Sequence, residues 1–144
     1  MFPSKRAFSV FVSGLLFAAS CAFAQTTMKC KMQARGHEFT GLCIIDMAAD
    51  STMVGTLVNE MGVKAFDFTY AKGKAKVLNV IAPLDKWYIR RVLRGDFSFI
   101  LANMHKGKDA DKKKRHLRLT PDGFTVSNDR FKIYYTFTTK NETH

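Results

Sequence analysis

The sequence predicts an α+β domain in which antiparallel strands flank a central helical segment. Three observations predict it. Apolar residues alternate with polar ones from Met28 to Ile81, the spacing turns helical between Pro83 and Met104, and alternation returns from His116 to Thr139.

The N-terminus is read first, because it decides how much of the chain enters the domain. Lys5 and Arg6 precede an apolar run from Ala7 through Ala19, broken only by serines and one glycine. This is the charge and apolar order of a secretory signal, and the run is too short to span ~30 Å of hydrocarbon, which takes about 20 apolar residues. Ala22-Phe23-Ala24 presents small side chains at the two positions a signal peptidase reads, so residues 1–24 are expected to be removed and Gln25 to become the N-terminus. Cys21 offers a competing outcome, since a cysteine just after an apolar stretch can be lipidated and kept as a membrane anchor. Its preceding Ala18-Ala19-Ser20 lacks the large aliphatic residue usual three positions before such a cysteine. Periplasmic release is therefore the expectation.

What remains is a single domain over residues 25–144. The formal charge of +11 falls to +9 with the loss of Lys5 and Arg6, and a chain of this size buries enough surface for one ordinary core. A monomer is expected. Two cysteines remain, Cys30 and Cys43, in a compartment that favours disulfides. Met28, Cys30, Met32 and Ala34 alternate with polar residues, Arg35-Gly36-His37 reads as a turn, and Phe39 to Met47 as the returning strand. The two cysteines lie nearly equidistant from that turn and are expected to form a disulfide, worth about 3 kcal/mol in the chain-entropy model. The other reading is two buried thiols serving as small hydrophobes.

The segments Met53 to Glu60, Val63 to Tyr70 and Lys74 to Ile81, joined by turns at Met61-Gly62 and Lys72-Gly73, read as a meander. In its middle strand Phe66, Phe68 and Tyr70 share one face, while Val63, Ala65, Asp67 and Thr69 share the other. The aromatic face is either plain core or the wall of an apolar cavity for a chain-like ligand.

Pro83 suits the first turn of a helix, and Leu84, Tyr88, Ile89, Val92 and Leu93 then fall on one arc. Trp87 falls on the opposite arc with Lys86, Arg90, Arg91 and Arg94. That basic face with one large aromatic suits anionic head groups, although it reads equally as a solvated surface with Trp87 folded over an arginine stem. Gly95 is expected to end this helix and Asp96 to cap a second, whose stripe is Phe97, Ile100, Leu101 and Met104. Residues 106–115 hold six cations and two acids and read as an exposed loop of charge +4. His116 to Leu119, Phe124 to Ser127 and Arg130 to Thr139 complete the strands, and Asn141-Glu142-Thr143 matches a glycosylation pattern.

Catalytic and metal constellations are missing from the pattern. His37, His105, His116 and His144 lie apart and belong to no triad or ligand motif, no glycine-rich phosphate loop is present, and no cofactor is implied. The basic balance would favour nucleic acid in a cytoplasmic protein, but an exported one meets membrane head groups instead, so no nucleic acid partner is expected.

Leu57-Val58-Asn59-Glu60-Met61-Gly62-Val63-Lys64-Ala65-Phe66-Asp67-Phe68, the strand through Val80, and Leu84-Asp85-Lys86-Trp87-Tyr88-Ile89-Arg90-Arg91-Val92-Leu93 resemble small exported proteins related to the LolA/LolB-type lipoprotein carriers. Phe39-Thr40-Gly41-Leu42 fits the first core strand of that group, and the resemblance covers about residues 39–104. It implies a curved antiparallel sheet, an incomplete β-barrel, with two short helices packed on its concave apolar face. It also implies shielding of lipid or lipoprotein acyl chains in that half-barrel. In such a carrier Phe66, Phe68 and Leu78 would line the ligand cavity. The contrasting expectation is a non-enzymatic envelope adaptor with a filled core, binding a protein or an anionic membrane surface through Trp87, Arg90, Arg91 and Arg94. N-terminal sequencing of the exported protein is expected to begin at Gln25; an acylated Cys21 would reverse that expectation.

Overall fold

The computed structural model describes residues 23–139, and there the alternation of the sequence becomes one antiparallel sheet of nine strands. Cys21, most of the segment 1–24 and the triplet 141–143 lie outside the described residues. The strands are β1 (Phe23–Ala34), β2 (His37–Ala48), β3 (Met53–Asn59), β4 (Lys64–Ala71) and β5 (Lys74–Leu78). After the helical segment come β6 (Ala110–Lys112), β7 (Arg115–Thr120), β8 (Gly123–Asn128) and β9 (Ile133–Thr139). Their order across the sheet is β5-β4-β3-β2-β1-β9-β8-β7-β6, so the chain runs outward from β1 in one direction and returns beside it at β9. The open edges are β5 and β6.

Two-residue turns set the registers. Arg35 and Gly36 both adopt positive φ (50° and 82°), as do Lys72 and Gly73 (52° and 80°), the backbone that lets a tight hairpin follow the strand twist. Phe23 and Ala24, on the far side of the expected cleavage point, pair with Ala48 and Met47 at the end of β1, beyond the reach of β9, which pairs from Met28 to Ala34.

The first hairpin also corrects the expected disulfide. Both cysteines are buried and free. The turn at Arg35-Gly36 pairs Cys30 with Gly41 and Met28 with Cys43, so the thiols sit on one face but one pair out of register, as diagonal rather than facing neighbours. Burial pushes the Cys30 thiol from its ordinary 9.0 up to about 12, and burial, with Cys30 nearby, raises Cys43 further still.

A second correction concerns the helices. One helix, α1 (Trp87–Asn103), runs straight through Gly95 and Asp96, and Pro83 lies before it in a separate 3-10 turn (Ala82–Leu84). Asp96 does not cap. Its side chain is fully buried (0%), and it accepts hydrogen bonds from Arg115 Nε (2.7 Å), Asn128 Nδ2 (2.7 Å) and the Tyr135 hydroxyl. Those donors come from β7, β8 and β9. Gly95 is needed for a different reason from helix termination: a Cβ there would lie 2.4 Å from Arg115 Nη2, so its absence lets the guanidinium cross the helix to reach Asp96.

The expected loop at 106–115 is shorter than its charge implied, since Ala110–Lys112 forms β6 and pairs with β7, leaving Lys113 and Lys114 as a turn. The expected strand at 74–81 likewise ends at Leu78.

The core lies where α1 covers the sheet. Phe97 sets its ring on Phe66 (5.3 Å between centroids), Phe68 (5.1 Å) and Tyr135 (6.0 Å), and all four are essentially inaccessible to solvent. A residue is also inserted where β4 leaves register with β3: Leu57 faces Phe66, but Val58 faces Lys64. Ala65 and Phe66 are therefore both buried in succession, which strict alternation does not allow. Ser98 Oγ accepts the Ala75 N–H (2.8 Å), so the helix satisfies a donor on the edge strand β5.

Two measurements follow. In native protein at pH 8, Cys30 and Cys43 should resist iodoacetamide and react with it only after unfolding. Because their folded pKa values are raised, the stability linked to the neutral thiols is intact below pH 9 and should decline as pH climbs toward 12, visible as a falling melting temperature. Replacement of Asp96 by alanine should lower unfolding stability by about 3–5 kcal/mol, because it strands the donors of Arg115 and Tyr135 together; urea denaturation reads this directly.

Candidate functional site

The carrier reading needs space beside Phe66 and Phe68, and that face is filled by Phe97. Leu78 does not join them. Phe68 faces Val77 across the β4–β5 ladder and Leu78 faces Asp67, so Leu78 points to the other side of the sheet, where it is 43% exposed. It lines a shallow depression of about 300 Å³ with Ile44, Val54, Thr56 and Asp67, which Phe68 also borders. The period-two pattern contained this outcome, since positions 66 and 68 share a face whereas 78 takes its side from the turn at Lys72-Gly73.

The helix presents the second candidate surface. Trp87 is 67% exposed and meets the ring of Tyr88 edge-on at 5.7 Å between centroids. Tyr88, expected on the packed arc, is itself 52% exposed in the first turn of α1, which begins at Trp87. Arg91 and Arg94 are exposed, and among the described residues neither makes an ion pair. Arg90 differs from them. It bonds to Asp85 in the segment just before the helix, so part of its charge is already answered. Of the four residues expected on this surface, Trp87, Arg91 and Arg94 are exposed and Arg90 is half-buried against Asp85.

Further along α1 lies a groove that the sequence did not reveal. Its floor is Gly95, Ser98, Phe99 and Ala102, its cations are Lys106, Lys112, Lys113 and Arg115, and its volume is about 440 Å³. Gly95 is four residues beyond Arg91 and Ser98 four beyond Arg94, so the groove continues the open stripe of the helix toward its C-terminal end. Only Lys112, Lys113 and Arg115 come from the β6–β7 hairpin, which chain order separates from the helix by the turn after Asn103. A pairing between Lys112 and Arg115 in the ladder brings those cations side by side.

On the other side of that hairpin His116 lies between two carboxylates, with Nδ1 2.6 Å from Asp111 and Nε2 3.1 Å from Asp129, while Arg118 Nη1 is 2.8 Å from Asp111. Bonds from His116 and then Arg118 hold the Asp111 carboxyl below the usual range. This cluster clasps β6 and β7 to the turn after β8. Asp109 and Asp111 are thus spent on Leu119 N–H, His116 and Arg118 and leave the lysines of the hairpin unopposed.

Among the described residues no three of His, Cys, Asp or Glu are grouped to hold a metal ion, and no helix is long and apolar enough to cross a membrane. Comparison of the chain with protein families, with curated proteins and with solved structures finds no match.

Proposed function

We propose that this chain is an exported, non-catalytic binding module that docks on an anionic membrane surface through the start of α1. The observation that carries the reading is Trp87, a large amphipathic ring left 67% exposed on Tyr88 beside the unpaired guanidinium groups of Arg91 and Arg94. An indole at that position enters the head-group boundary, and cations beside it gain about 1 kcal/mol each near a charged surface. At a membrane boundary an exposed tryptophan is a residue that anchors.

The sheet in this reading is a partial barrel whose inner face is occupied by the protein's own side chains. Phe97 seated on Phe66 and Phe68 takes the place an acyl chain would need, and this weighs for the surface-binding module and against a lipid or lipoprotein carrier of the LolA/LolB type. Export supplies the compartment, in which the abundant polyanions are phospholipid head groups.

The test is flotation with vesicles containing phosphatidylglycerol at low salt. Wild-type protein should float with them, and binding should fade as ionic strength rises past ~0.1 M, where the screening length falls to about 10 Å. Trp87→Ala combined with Arg91→Gln and Arg94→Gln should weaken binding at least tenfold at an unchanged melting temperature. Arg90→Gln alone should change it much less, because Asp85 already partners that residue. Indifference of the wild type to these vesicles, or co-purification of a stoichiometric acyl chain, would favour the carrier instead.

A further inference from the structure

The groove beside Gly95 has features that a solvated lysine run lacks. Its one arginine is fixed. Arg115 is only 27% exposed, its Nε is bonded to the buried Asp96 carboxylate, and its guanidinium rests against Gly95 where a side chain would displace it. With Nε taken, the Nη groups make no hydrogen bond among the described residues and face the groove it lines. Lys106 comes from the segment after α1, and Lys112 and Lys113 from the far wall, so cations converge from two sides, and no acidic residue lines the space between them. Asp96 beneath the floor neutralises one charge, which leaves an excess of three. Phe99 and Ala102 make part of the wall apolar, which suits the organic group to which an anion is attached.

We propose that this groove is a binding site for a phosphate dianion, free or as a terminal monoester, with the guanidinium of Arg115 and the ammonium groups of Lys106, Lys112 and Lys113 as its ligands. A tetrahedral dianion matches this donor set: a guanidinium offers a planar pair of N–H groups to two oxygens, and mobile lysines adjust to the remainder. Asp96 acts as a positioning residue, because it holds Arg115 in place before any ligand arrives and so lowers the ordering cost of binding. The phosphate can come from free phosphate in solution or from a lipid head group. For the second source the inference rests on the membrane reading, since docking by Trp87, Arg91 and Arg94 would bring head groups to the groove that continues their stripe.

Two probes separate these sources, inorganic phosphate and vesicles in which phosphatidic acid replaces phosphatidylglycerol at matched surface charge. The variant is Lys112→Gln with Lys113→Gln, both exposed and outside the core, with the melting temperature checked against wild type. Wild-type protein should prefer phosphatidic acid about tenfold or more, and the double variant should lose that preference and bind the two lipids alike. Inorganic phosphate should shift the amide resonances of Gly95, Ser98 and Lys113 in a saturable way in the wild type and not in the variant. Shifts with phosphate but no preference between the lipids assign the site to a free phosphate. Shifts with phosphate in protein that ignores every vesicle keep the site and remove the membrane reading. Absence of both effects, or effects equal in wild type and variant, overturns the phosphate site.

Discussion

The buried carboxylate of Asp96 is the constraint on which the arrangement of this molecule depends. A charge removed from water in the middle of a helix is costly unless it is fully hydrogen-bonded, and here the donors are supplied by β7, β8 and β9 through Arg115, Asn128 and Tyr135. Because α1 lies between β5 and β6 in the chain, these bonds tie it to strands that follow it in sequence. Apolar packing of Phe97 alone would tolerate rotation or sliding of α1. The directional bonds to three strands do not. Burial and the Asp96 charge together push the Tyr135 hydroxyl well above its ordinary 10.0, which keeps it a donor at every physiological pH.

Fixing the helix in this way has opposite consequences for its two sides. Toward the sheet, Phe97 occupies the aromatic face and leaves no room for a guest beside Phe66 and Phe68. Along its flank the helix carries the exposed Trp87, Arg91 and Arg94, followed by the half-buried small residues Gly95, Ser98 and Ala102. The small residues recess the surface, and the β6–β7 hairpin, held by His116 between Asp111 and Asp129, brings lysines over the recess. The recess therefore lies between the flank of the helix and the β6–β7 hairpin, and not beside Phe66 and Phe68.

The electrostatics follow from how the acids are used. Asp85, Asp96, Asp109 and Asp111 are each bonded to a specific partner, leaving Arg91, Arg94 and the lysines of the hairpin without one. Net charge alone would describe a uniformly basic particle, attracted to any polyanion. The distribution instead concentrates unopposed cations along one side of α1, where their fields add over a short distance and favour an extended anionic surface.

Much of the fold was legible in the sequence, because period-two alternation, Gly-containing turns and a helical stripe are local properties and strand pairing between neighbours follows from them. The hairpins at Arg35-Gly36 and Lys72-Gly73, the aromatic face of β4 and the open basic face at Trp87 belong to this class. Tertiary structure decided everything that turns on which distant groups meet. Gly95-Asp96 reads locally as a helix end and a cap, and only donors 19 to 39 residues later convert it into a continuous helix with a buried charge. Cys30 and Cys43 were placed on one face correctly, but whether they face one another depends on a two-residue offset that symmetry about a turn does not resolve. The groove had no sequence signature at all: Gly95 and Arg115 are unremarkable apart, and their meaning comes from the Cβ that is missing where the guanidinium passes.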